Sequence, residues 1–165
     1  MSEITAYHEA GHAFVALQLG ARVLSMSIDP DWDDGPLRYG DTQIGWSDDF
    51  TEAEIDQLAI VVSLAGPVAE MIYTGEKRHP AEVREWALDW RVAWQRAARM
   101  HADPAKRLQF LEALTIRLYH QLSRDAEWCA VAVLVDHLLA HEQLEEEQIV
   151  DAVEEWLSAW EGWSS

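Results

Sequence analysis

Residues 7–13 read Tyr-His-Glu-Ala-Gly-His-Ala, placing His8 and His12 four positions apart with Glu9 directly after the first. On an α-helix, residues four apart share a face, with Cβ atoms roughly 5–6 Å from one another. Two imidazoles at that spacing can both reach a cation at about 2.0–2.1 Å. Glu9 sits one residue round the helix from His8, so it flanks such a cation and does not ligate it. From there it can hold and deprotonate water, the chemistry that the HExxH spacing carries. The other reading of the same residues is a polar helix face turned to solvent. His137 and His141 repeat the spacing, but no glutamate follows the first, and Asp136 and Glu142 lie outside the pair. His79, His101 and His120 are scattered and read as surface residues.

Gly11 lies inside the same helix, where glycine costs about 1 kcal/mol relative to alanine. With Ala10 and Ala13 it makes a smooth face that another element, or a substrate backbone, can approach closely.

A motif of this kind needs a helix to carry it and further elements to support it. Residues 3–19 place Ile4, Tyr7, Phe14, Val15 and Leu19 at helical spacing and end at Gly20, a natural stop. Residues 22–29 alternate apolar and polar side chains and predict a short strand. The Asp-, Pro- and Gly-rich residues 29–41 predict a loop, and residues 42–47 a second short strand that could run antiparallel to the first. Thr51 followed by Glu54 is a capping-box signature that opens a helix at about residue 52. Gly66-Pro67 should kink or restart that helix, since proline removes a backbone donor and clashes with the preceding turn. Further helices are expected at about 80–101, 104–122, 124–141 and 145–161. The fold class expected is mainly α, with a small antiparallel sheet near the N-terminal helix.

The 165 residues are 49% hydrophobic, enough for one domain with a substantial core. A formal net charge of −18 disfavours phosphate backbones and anionic membrane surfaces as partners, because both need clustered Lys and Arg. Ten of the twelve basic residues fall between Lys77 and Arg124. From Glu142 onward there are eight acids and no Lys or Arg, which reads as a solvated helix face or a docking surface for a basic partner. Cys129 is the single cysteine, so no intrachain disulfide is possible, and its apolar neighbours suggest a small buried hydrophobe. The N-terminal residues have no basic region followed by a long apolar run, and the longest apolar stretch contains Glu70. A soluble, cytoplasmic protein without membrane insertion is expected.

The segment Ala-Tyr-His-Glu-Ala-Gly-His-Ala resembles the start of the peptidase domain of the FtsH family, the membrane-bound ATP-dependent zinc proteases. Residues 58–76 are similar to that family's helix with a Gly-Gly-x-x-Ala-Glu core followed by a Gly-Glu turn. Residues 88–100 are similar to its Asn-Asp-Leu-x-x-Ala-x-x-x-Ala-x-x-Met helix. Residues 138–153 are similar to its closing Leu-Leu-x-x-Glu-x-Leu pattern. The resemblance covers nearly all of residues 4–153, in order. It implies zinc as cofactor, a third metal ligand at Asp89, and a fourth position left for water, with Glu9 as general base. Glu82 and Glu85 are the alternative ligands if the register is shifted, and an ion pair with Arg91 or Arg96 is the other reading of Asp89. The chain departs from the family at 77–87, where a small-residue run is replaced, and at Gly66-Pro67, which stands for a Gly-Gly pair.

The sequence has no GxxxxGK[ST] phosphate loop, so the resemblance implies a peptidase domain standing alone. Its substrate would be an unfolded or flexible polypeptide, delivered by diffusion or by a separate unfoldase ATPase; a homo-oligomer is the other partner expected. Two other functions fit the same residues: a catalytically idle interaction domain, and a zinc hydrolase for a non-peptide bond. Trp86, Trp90 and Trp94 recur every four residues, as a core face or, for the interaction domain, as a binding surface.

Overall fold

The computed structural model of the protein describes residues 2–29 and 39–157. Helix α1 (Ser2–Gln18) lies at the centre of the fold. From Thr5 to Ala16 every residue except Tyr7 is buried. A helix enclosed on all sides needs small residues where its neighbours cross, and α1 supplies Ala6, Ala10, Gly11, Ala13 and Ala16. A Cβ on Gly11 would stand 2.6 Å from the Ala65 carbonyl oxygen and 2.7 Å from the Ala69 Cβ. The expected smooth face therefore receives helix α2. Gly20 ends the α1 region at φ 91°.

Strand β1 (Arg22–Asp29) pairs antiparallel with β2 (Tyr39–Gly45) and, on its other side, with β3 (Gln143–Glu145), in the order β2-β1-β3. Val23, Met26 and Ile28 point into the core. The register shifts between Val23 and Ser25, so Leu24 sits at a bulge and is 42% exposed. The bulge accommodates two adjacent apolar residues that strict alternation would not. β2 starts at Tyr39, so residues 39–41, expected in the loop, belong to the strand, which ends at Gly45 and not at residue 47. The rest of that expected loop, 30–38, lies outside the described residues. β3 was not expected at all. It is three residues long and makes its bonds to a strand far away in the chain, so no local pattern marks it.

Helix α2 (Glu52–Thr74) opens with the expected capping box, in which the Thr51 hydroxyl accepts from the Glu54 amide and the Glu54 carboxylate from the Thr51 amide. Such a cap is worth about 1 kcal/mol. Contrary to expectation, α2 is not restarted at Gly66-Pro67 but runs unbroken to Thr74. Only the Ser63 carbonyl loses its ladder donor, and Gly66, having no Cβ, removes the usual clash of a proline ring with the residue before it. Burial from Ala59 to Met71 on several faces holds the helix together through the defect. Among the described residues α2 is the one helix long and apolar enough to cross a membrane, and 72% of its apolar window is buried inside the protein, as for a core helix.

The helix expected over 80–101 is instead two single 3₁₀ turns, Pro80–Glu82 and Arg84–Trp86, followed by α3 (Ala87–Ala97). The His79 ring accepts from the Ala81 amide to open the first turn, and Val83 is extended (φ −103°, ψ 119°), which separates the turns. Trp86 therefore precedes the helix that carries Trp90 and Trp94. It is buried, while the other two are half-buried against the core. α4 (Pro104–Leu122) has the expected bounds, with Asp103 capping it and Pro104 in its first turn. α5 (Asp125–His141) packs on α1, and α6 (Glu146–Leu157) packs on α5. The last residues expected in that helix, 158–161, are outside the described residues. Cys129 is exposed on α5, not buried as its apolar neighbours suggested, because it falls on the face away from Ala130, Val131 and Leu134.

Candidate metal centre

The interior position of α1 buries His8, Glu9 and His12 to within 8% exposure, which excludes the solvent-facing reading of the motif. The His8 Nδ1 lies 2.6 Å from Glu70 Oε2, and the His12 Nδ1 lies 2.7 Å from the Val62 carbonyl oxygen. Both acceptors belong to α2. Each ring therefore donates through Nδ1 and turns Nε2 toward the same point, where the two Nε2 atoms are 3.1 Å apart. The two 3₁₀ turns bring the first turn of α3 over that point. Asp89 Oδ2 is 2.8 Å from His8 Nε2, and Oδ1 is 3.4 Å from His12 Nε2.

These distances suit a tetrahedral cation. Ligands about 2.0–2.1 Å from such an ion stand about 3.3 Å from one another. Two imidazole nitrogens and a carboxylate are a donor set that zinc and other first-row divalent ions accept, and three protein ligands leave a position open. Among the described residues, His8, His12 and Asp89 form the group able to hold a metal. Gly66 makes room for it: a Cβ there would lie 2.4 Å from His12 Nε2 and 2.8 Å from His8 Nε2. The alternative partner for Asp89, Arg96, hydrogen-bonds Asp56 at 2.8 Å. Of the alternative ligands, Glu85 lines the cleft without joining the group, and Glu82 is exposed in the first 3₁₀ turn. His137 and His141 stack 6.4 Å apart on the exposed face of α5, with no third ligand in reach among the described residues.

Charge at the site is strongly coupled. Burial pushes the His8 imidazolium down, but hydrogen bonds to Asp89 and Glu70 outweigh it, and the pKa is raised to about 10. His12 is raised for a similar reason, with burial opposed by Asp89. Burial would lift the Asp89 carboxyl, yet His12 and His8 beside it hold it well below the usual carboxylate range. The three side chains thus attract one another, which holds both Nε2 atoms and the Asp89 carboxylate together.

Glu9 is held from the sheet. Thr42 Oγ donates to Glu9 Oε1 at 2.7 Å, and β2 passes so close that a Cβ on Gly40 would be 2.8 Å from Glu9 Oε2. The site opens into a cleft of about 350 Å³ whose walls include Gly40, Asp41, Thr42 and Ile44 from β2, Val62 and Ser63 from α2, and Glu85 and Leu88 from the 3₁₀–α3 segment.

Reading the sequence missed the supports of the site: Glu70, Val62, Thr42 and Gly40. Glu70 alone left a signal, as the single carboxylate in the apolar run 58–73. A buried carboxylate is costly unless it is paired, and here Glu70 Oε2 accepts from both His8 and the Trp86 indole (2.7 Å). The sequence matches no protein-family model and no curated protein.

Proposed function

We propose that the protein is a zinc-dependent metallopeptidase of the FtsH peptidase type that cleaves unfolded or flexible polypeptides. His8, His12 and Asp89 hold the metal, and Glu9 is the general base. The observation that carries this reading is the convergence of the two Nε2 atoms and the Asp89 carboxylate at 2.8–3.4 Å, with Glu9 directly beside them. When bound, zinc supplies Lewis acidity and lowers the pKa of water at its open position.

The chain's own residues do the rest. Glu70 and the Val62 carbonyl fix both imidazole rings so that Nε2 is the ligating atom. Thr42 orients Glu9, which takes the proton of the attacking water and returns it to the departing amine. Among the described residues β2 pairs only with β1, so its outer edge is available beside the cleft for an extended peptide. Such an edge accepts backbone, which favours a polypeptide over a compact non-peptide substrate.

The test is hydrolysis of casein by the zinc-loaded protein and by Glu9→Gln, with metal content measured on both. The reading expects slow cleavage that Glu9→Gln abolishes while zinc is retained. Equal cleavage by the variant removes Glu9 as base. No cleavage by either, with zinc at one per chain, would leave an interaction domain with a structural metal.

A further inference from the structure

The described walls of the cleft carry one sign of charge. Among the described residues, its ionisable side chains beyond the metal group and Glu9 are Asp41 on β2 and Glu85 on the second 3₁₀ turn, and no Lys or Arg lines it. The omission is local. Arg84 immediately precedes Glu85 and Arg91 follows Asp89 by two residues, yet both are exposed and neither lines the cleft. A divalent ion would be neutralised by Asp89 and Glu9 together. Asp41 and Glu85 then remain as two further negative charges, one on β2 and one on the second 3₁₀ turn, in a chain whose net charge is already −18. Asp41 accepts from the Gln43 side-chain amide, a neutral donor that orients the carboxylate without cancelling its charge. Leu88, 69% exposed and next to Asp89 in the chain, and Ile44 on β2 line the same cleft.

We infer that Asp41 and Glu85 select basic polypeptide segments, those with Lys or Arg close to the bond presented to the metal centre. This inference rests on the proposed peptidase reading and adds the substrate class. The two carboxylates attract a cationic side chain, and a cleft of one sign raises the local concentration of oppositely charged chains while repelling acidic ones. Leu88 and Ile44 cover the aliphatic stem of the same Lys or Arg, which long basic side chains lay along apolar surface. Asp41 and Glu85 are specificity residues: they touch the substrate's side chains and leave the reacting atoms to Glu9 and the metal group.

The experiment uses two flexible fluorogenic ten-residue peptides with the same central residues, one flanked by Lys and the other by Glu. For the zinc-loaded protein, kcat/KM should favour the Lys peptide, and raising NaCl from about 50 to 500 mM should compress the ratio. Glu85→Gln and Asp41→Asn should each lower the ratio on the order of threefold to fivefold, and Glu85→Lys should invert it. A ratio near one in the unaltered protein, or a ratio untouched by Glu85→Gln, overturns the inference while the peptidase reading stands. Should neither peptide be cut, their binding to zinc-loaded Glu9→Gln protein, read by fluorescence anisotropy, decides. Tighter binding of the Lys peptide keeps the charge selection without hydrolysis, and equal binding ends it.

Discussion

Glu70 and His8, 62 residues apart in the chain, meet at 2.6 Å in the interior between α1 and α2. That contact settles which His8 nitrogen faces the cleft, since the Nδ1 proton is committed to the carboxylate. Carboxylates that support metal-binding histidines in this way contribute roughly 10–100-fold to metal affinity. Glu70→Gln is therefore expected to weaken zinc binding by about that factor, measured by competition with a chromophoric chelator. Unchanged affinity would mean that His8 is oriented by its surroundings alone.

Asp89 is the third ligand in the proposed centre, so Asp89→Ala should lower zinc content well below one per chain after dialysis, while Glu82→Ala should not. Zinc bound to the folded state at a hundred times its dissociation constant adds about 2.7 kcal/mol. For a chain of this size that corresponds to about 5–10 °C in Tm. Chelation should remove this increment from the unaltered protein and have no effect on Asp89→Ala. A Tm indifferent to chelator in both proteins contradicts the metal centre.

Gly66 stands where α2 meets the rings of His8 and His12, and a methyl group there would overlap His12 Nε2 at 2.4 Å. The ring cannot swing away without giving up its bond to the Val62 carbonyl. Gly66→Ala should thus cost about 1–3 kcal/mol of stability and lose zinc as well. Denaturant melts with metal analysis would show both losses; a stable variant with full zinc would mean that α1 and α2 can separate without cost.

Away from the site, the buried Asp56 accepts from Arg96 and Arg99 at 2.8 Å each. Burial works to raise its pKa, but the two guanidinium groups more than offset this and the net shift is downward. A carboxyl whose folded pKa is depressed adds stability above its unfolded value, near 3.9, and loses it as pH falls through the folded value. Asp56→Asn should therefore be less stable than the unaltered protein by about 1–2 kcal/mol at pH 7, with the gap closing as pH falls below the unfolded value and through the folded one. Urea melts across this pH range would read it; a gap independent of pH would assign the effect to packing.

The parts of this structure that were legible in the sequence are those with local causes. The HExxH spacing, the Thr51–Glu54 cap, the Asp103-Pro104 start of α4 and the alternation in β1 each depend on residues a few positions apart. What could not be read depends on distant partners. β3 exists because β1 has a second edge, and Cys129 is exposed because of which face of α5 meets α1. The turns at 80–86 replace a helix because the His79 ring and extended Val83 redirect the chain. The unbroken α2 shows a local rule overridden, as burial from several sides outweighs the one donor that Pro67 lacks. The candidate site divides in the same way: the α1 residues stood out by spacing, and Asp89 through the family resemblance. Glu70, Val62 and Thr42 act only because α2 and β2 fold back onto α1.

The pairing of Met26 with Leu144 joins a strand near the start of the chain to one more than a hundred residues later. The two histidines leave the ribosome before the α5 helix that packs on α1 and the β3 strand that completes the sheet. Val62, Glu70 and Asp89, which meet the two imidazoles, all precede residue 90, whereas the α5 wall and the β3 edge follow residue 124. The candidate site thus draws its side chains from one stretch of the chain and part of its enclosure from another, and it is closed only when both have folded.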